Sequence, residues 1–163
     1  MGRALLVGVE RRDLNGRPQE RGRWARLRDR VAGRAEDAPL EVVEDGLIVV
    51  AESVDEAAAS STVLDASRWR AEEEVVVRHV LVLPAARGAE AIATAGLDEY
   101  RAVDSTTYPL TGAVAEPDRT TVVLARVQLL DAMHLSQERS RMASLGSRHG
   151  GAAIGWQVLQ RPG

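Results

Sequence analysis

The side chains able to do chemistry in this chain are few and scattered. Its three histidines, His79, His134 and His149, lack the i, i+4 spacing of a helical zinc motif, and no Cys is present to complete a thiolate site. No metal and no cofactor are therefore expected. His79 falls inside an apolar run and reads as a satisfied residue of a buried strand. His149 falls at the end of an amphipathic stretch, where the negative pole of a helix favours its charged form. All 21 basic residues are Arg, which excludes lysine Schiff-base chemistry and a P-loop lysine. The acidic neighbours Asp98-Glu99 and Glu72-Glu73-Glu74 do not make an acid/base pair, because adjacent side chains on a helix or strand point apart. Neither a Gly-x-Ser-x-Gly elbow nor a Gly-rich dinucleotide or phosphate loop occurs. The residues give no positive sign of catalysis, and a non-enzymatic protein is expected.

The alternative to catalysis is binding. Net charge is −3, but residues 1–34 carry +6, residues 35–74 carry −10 and the remainder +1. Within the first block, at about 100° per residue, Arg23, Arg26, Arg30 and Arg34 fall in a stripe about 80° wide. Such a row of guanidinium groups suits RNA phosphates or an acidic protein surface. Aromatic residues make up only 3% of the chain, and no Tyr or Phe lies nearby to stack bases, which weakens the RNA reading. A solvated face that pairs with the acidic block is the plainer one.

These side chains need elements to hold them. With 163 residues, 45% of them hydrophobic, the chain can build one ordinary core or two small ones. Residues 4–9 read as a buried strand, and Asn15-Gly16 as a turn. Residues 19–33 have a helical period, with Trp24, Leu27 and Val31 on one face. Segments 40–44 and 47–51 flank Asp45-Gly46, a strong hairpin signal. Ser53 with Glu56 three residues later reads as a helix start that fades by Ser60-Ser61. Trp69 is expected to dock on a core from a linker.

The second half is more regular. Residues 75–83 are almost continuously apolar up to Pro84, and 86–96 form an alanine-rich helix. Residues 99–104 read as a weak polar strand and 120–130 as a second strong one. Ser136 reads as the cap of a helix reaching Arg148, with Leu135, Met142 and Leu145 inward and Ser140, Ser144 and Ser147 outward. The last strand, 153–159, is expected to place Ile154, Trp156 and Val158 on one side. This order, βαββαβ, is that of the ferredoxin-like sandwich, whose first and third strands lie at the sheet centre, and the two richest apolar runs occupy those places. An α+β chain is expected, with a ferredoxin-like unit over residues 75–163 and a related βαββ unit over residues 1–70.

The stretch Gly150-Gly151-Ala152-Ala153-Ile154-Gly155-Trp156, with the strand and helix before it, resembles the regulator of ribonuclease activity B family of small ferredoxin-like proteins. The resemblance covers the C-terminal half. In that family the positions before Gly-Trp often carry an acidic residue and an aromatic, where this chain has Ala152, Ala153 and Ile154. The family's acidic tail has no counterpart in Arg161-Pro162-Gly163. Gly150, Gly151, Gly155 and Trp156 also have a plain structural reading: glycines allow close backbone approach, and the indole fills space between sheet and helices. The resemblance implies a non-catalytic protein that restrains a ribonuclease by direct contact.

The expected function is thus binding, with a ribonuclease as protein partner. One alternative is a dimeric α+β barrel that binds or transforms a small molecule, with Trp156, Val127 and Leu129 lining its cavity. The other is RNA binding through Arg23, Arg26, Arg30 and Arg34. A second copy of the chain is a further candidate partner. No stretch approaches the roughly 18 apolar residues of a membrane span. Residues 4–9 are too short for a signal-peptide core, and a cytoplasmic location is expected.

Overall fold

The computed structural model describes residues 12–19, 38–110 and 117–163. The strand expected at 4–9, most of the helix expected at 19–33, and Arg23, Arg26, Arg30 and Arg34 lie outside the described residues. The elements, in chain order, are β1 (Ile48–Ser53), α1 (Ser60–Asp65), β2 (Val75–Pro84), α2 (Gly88–Gly96), β3 (Arg101–Val103), β4 (Arg119–Gln128), α3 (Ala132–Arg148) and β5 (Ala152–Gln160).

The two apolar runs of the second half become neighbours. β2 and β4 pair antiparallel over ten residues, from Val75 opposite Gln128 to Pro84 opposite Arg119. β5 pairs on the other side of β2, β1 lies beyond β5, and the short polar β3 borders β4, giving an antiparallel sheet ordered β1-β5-β2-β4-β3. β2 is interior and covered on both faces, which is why it is apolar on both sides apart from Arg78 and His79. Val75, Val77, Leu81 and Leu83 face the helices with Leu124, Leu135, Leu145, Trp156 and Val158. Val76 and Val80 face the opposite side with Val123, Val127 and Leu159. Leu40, Leu47 and Leu110 cover that second face.

Several expectations are corrected by local hydrogen bonding. Asp45-Gly46 does form a turn, with Gly46 at φ +80°. Only the residues after it enter the sheet, because Leu40 is spent on covering Val76 and Val127 rather than on strand pairing. No helix starts at Ser53, which ends β1. The Ser53 hydroxyl accepts from the Asp55 backbone N–H at 3.1 Å and the Asp55 carboxylate from Ala57 N–H at 2.9 Å. The capping groups close a turn instead, and the helix begins at Ser60. α3 is capped by Asp131, whose carboxylate accepts from His134 N–H at 2.7 Å. Ser136 lies within the first turns and its hydroxyl donates back to the Ala132 carbonyl at 2.9 Å.

β5 carries a bulge. Val80 is opposite Gly155 but Leu81 is opposite Ala153, so Ile154 is the extra residue. It therefore leaves the side occupied by Trp156 and Val158 and packs with Val80, Leu110 and Val123. Trp69 is half-buried against the core shared by Leu64, Leu135 and Trp156. Among the described residues no helix is long and apolar enough to cross a membrane.

Candidate functional site

The helix-facing side of the sheet is not uniformly apolar. Alternation along β2 puts His79 on the same face as Val77 and Leu81, and alternation along β4 puts Arg126 and Gln128 on the same face as Leu124. Above them α3 presents Leu135, Glu138, Met142 and Leu145 inward, at helical spacing. Four polar side chains are thus forced together: His79, Arg126, Gln128 and Glu138 are exposed by only 1%, 4%, 0% and 3%.

They satisfy one another. Arg126 Nη2 donates to Glu138 Oε1 at 2.6 Å, and Gln128 Nε2 donates to the same oxygen at 2.8 Å. Arg126 Nε donates to Gln128 Oε1 at 2.8 Å, and Nη1 to the Asp98 carbonyl at 3.1 Å. The other carboxylate oxygen, Glu138 Oε2, lies 3.4 Å from His79 Nε2. Burial pushes the Glu138 carboxyl upward, but His79, Arg126 and the Gln128 hydrogen bond outweigh it and hold it below the ordinary range. Tyr100 closes the cluster: its ring lies 4.5 Å under the Arg126 guanidinium carbon and edge-on to His79 at 6.0 Å. Burial, then the Glu138 charge, drive the Tyr100 hydroxyl far above its ordinary value.

One end of this cluster opens. A cleft of about 610 Å³ lies between α3, the first half of β5 and residues 53–56, and His79, Arg139, Met142 and Trp156 line it. Its size is that of a small-molecule site. His79 and Trp156 are directly opposed on adjacent strands, which places their Cβ atoms about 5 Å apart on one face. Trp156 is 2% exposed, and its Nε1–H has no hydrogen-bond acceptor among the described residues. A buried donor left unpaired costs about 1–3 kcal/mol, and this one lies beside the cleft that Trp156 helps to line. Arg139 fixes the rim: Nη1 donates to the Ala58 carbonyl at 2.7 Å and the Ser60 hydroxyl at 3.0 Å, and Nη2 to the Glu56 carbonyl at 2.9 Å. Its guanidinium carbon lies 6.0 Å from the Trp156 ring centroid.

Of the residues singled out from sequence, Trp156 enters this cleft. Gly155 lines it too, and a Cβ there would stand 2.5 Å from Leu110 Cδ2 and 2.7 Å from the Ser53 carbonyl. Gly151 is equally confined, against the Val82 carbonyl and Leu83. Gly150 takes the positive φ of +74° after α3. These glycines answer to packing. His79, read from sequence as a satisfied strand residue, is buried in β2 against Glu138 and also lines the cleft. His134 pairs with Asp131 at 2.8 Å at the start of α3, and His149 caps its end. Among the described residues no group of three or more His, Asp or Glu is placed to hold a metal.

Glu138, Arg126, Gln128 and Tyr100 were missed from sequence. The signal for Glu138 was available: Leu135, Glu138, Met142 and Leu145 share one helical face, and a carboxylate among inward apolar positions needs a partner. No protein-family model, curated protein or solved structure matches the chain.

Proposed function

We propose that this is a ferredoxin-like α+β protein that binds a small molecule in the cleft between α3 and β5, through a hydrogen-bond acceptor on the ligand. The strand order β5-β2-β4-β3 with α2 and α3 against one face supports the fold reading. The single observation carrying the function is the buried, unpartnered Trp156 Nε1–H beside a cleft that Trp156 and His79 both line. Apolar wall from Trp156 and Met142 with one fixed donor is the usual composition of a ligand site.

The other readings have less to stand on. A dimeric barrel with Trp156 and Val127 in one cavity is disfavoured, because the two residues pack on opposite faces of the sheet. Contact with a ribonuclease rests on the resemblance of the C-terminal half, and packing accounts for the glycines of its 150–156 stretch.

The test is nuclear magnetic resonance of the indole Nε1–H signals, with Trp156→Phe identifying the relevant one. Small carbonyl and carboxylate compounds at millimolar concentration are expected to move the Trp156 signal and leave that of Trp69 in place. A panel that moves neither the Trp156 indole nor the Gly155 amide overturns the reading.

A further inference from the structure

We infer that the cleft performs proton transfer on an enolisable carbonyl compound, with His79 as the base and Trp156 Nε1–H as the donor to the carbonyl oxygen. The inference rests on the ligand-binding reading above and departs from the expectation of a non-enzymatic protein. Three features of the geometry carry it.

The first is the orientation of the His79 ring, whose Nε2 faces Glu138 Oε2. A carboxylate only accepts hydrogen bonds, so the ring nitrogen facing Glu138 Oε2 carries the proton. In the neutral ring so assigned Nδ1 keeps its lone pair, and the hydrogen-bond contact of the ring among the described residues is that of Nε2 with Glu138. The second is the support behind it. Glu138 is fixed through its other oxygen by Arg126 and Gln128, so it orients the imidazole and stabilises the imidazolium formed when Nδ1 takes a proton. The 3.4 Å separation is long, as such contacts often are before a ligand tightens them. The third is the cross-strand pairing of His79 with Trp156, which sets a base and a neutral donor side by side. A carbon acid needs both: one to remove its C–H proton, one to stabilise the enolate oxygen.

The step balances without a co-reactant. His79 Nδ1 takes the proton from the carbon beside the carbonyl, the C–H electron pair becomes the enolate, and Trp156 Nε1–H hydrogen-bonds its oxygen. Return of the proton to that carbon gives exchange, and return to another carbon gives isomerisation. The groups around the base are Glu138 from α3, Arg126 from β4 and Tyr100 after α2, with Arg139, Asp55 and Glu56 at the cleft rim. The rim carries both signs of charge, so the ligand's recognition is assigned to its carbonyl and apolar body.

The experiment offers a panel of 2-oxo acids and cyclic ketones to the full chain in D2O. Proton spectra follow loss of the α-proton signal, and the Trp156 indole shift follows binding. A compound that binds is expected to exchange about 100-fold faster with the wild type than with His79→Gln. Trp156→Phe, which keeps the ring, is expected to lose a similar factor and decides the matter if His79→Gln does not fold. Glu138 is a positioning residue, so Glu138→Gln should lower the exchange rate at saturation while leaving the dissociation constant in place. Binding without exchange, or exchange unchanged in the folded variants, overturns the proton-transfer inference and leaves the binding reading intact. Absence of binding by the whole panel overturns both.

Discussion

Glu138 on α3 and Arg126 on β4 meet at 2.6 Å with side chains only 4% and 5% exposed, in the layer between helix and sheet. The pair divides the helix-facing core into two apolar clusters, one around Val77, Leu135 and Trp156 and the other around Leu83, Leu124 and Leu145. A charged pair at such a place costs desolvation on both sides, and only its hydrogen bonds to Gln128, the Asp98 carbonyl and His79 offset that.

Breaking the pair should therefore hurt more than replacing it. Glu138→Ala leaves the Arg126 charge buried and is expected to destabilise by about 3–5 kcal/mol. Adding Arg126→Met to Glu138→Leu should recover most of that loss, since volume and burial are restored without charge. Urea unfolding midpoints of the single and double variants measure the difference.

Acid should weaken the fold through the same carboxylate. Its folded-state affinity for protons is lowered, so its stabilisation is fully present above the unfolded carboxyl value of about 4.3 and is lost as pH falls through the lower folded value. Wild-type stability is expected to fall more steeply than that of Glu138→Gln below about pH 4–5. Equal slopes in urea titrations across that range would contradict the assignment.

The Arg126 guanidinium is roofed by the loop at residues 12–18. Gly16 is buried at φ +76°, and a Cβ there would stand 2.7 Å from Arg126 Cδ. Because all three guanidinium nitrogens of that side chain are hydrogen-bonded, it has little room to yield. Gly16→Ala is expected to cost about 1–3 kcal/mol. Gly96→Ala, at the end of α2 with open space around it, should be neutral or stabilise by up to about 1 kcal/mol. Thermal unfolding of the two variants separates them.

Trp156 offers a contrast between stability and ligand. Its indole N–H has no partner among the described residues, so Trp156→Phe gives up no hydrogen bond and should cost about 1 kcal/mol. Trp156→Ala opens a cavity and should cost about 3–5 kcal/mol. Denaturation of the two, read beside the ligand titration, tests whether the donor serves the fold or the cleft.

On the opposite face Arg78 is 2% exposed and donates to the Tyr108 carbonyl at 3.1 Å, the Asp104 carbonyl at 2.7 Å and Gln157 Oε1 at 3.0 Å. It ties residues 104–110 over β2. Arg78→Met should leave the sheet intact and speed hydrogen exchange in residues 104–110 by at least about tenfold, the loss of about 1.4 kcal/mol of local protection. Exchange confined to wild-type rates there would count against this role.

Much of the layer order was legible in the chain. The two richest apolar runs, at 75–83 and 120–130, are best satisfied by burial on both faces, so their richness and the element order put them inside the sheet and the weak polar segment at 99–104 at its edge. The α3 face was equally plain from Leu135, Met142 and Leu145. Local hydrogen bonds were less so: Asp131 and Ser136 are both good caps, and only the end of β4 decides which one the helix uses.

The site was not legible, for a different reason. Periodicity assigns a residue to a face but not to a partner across elements, so His79 reads alone as a satisfied strand residue while Arg126 and Glu138 pass unnoticed. Their sequence separations of 59 residues for His79–Glu138 and 12 for Arg126–Glu138 are closed only when α3 lies back across β2 and β4. Composition and pattern settled which apolar side chains of the central strands and of α3 are turned inward. The packing of helix on sheet decided that His79, Arg126 and Glu138 neutralise one another and that the fourth wall, Trp156, is left with a donor to offer.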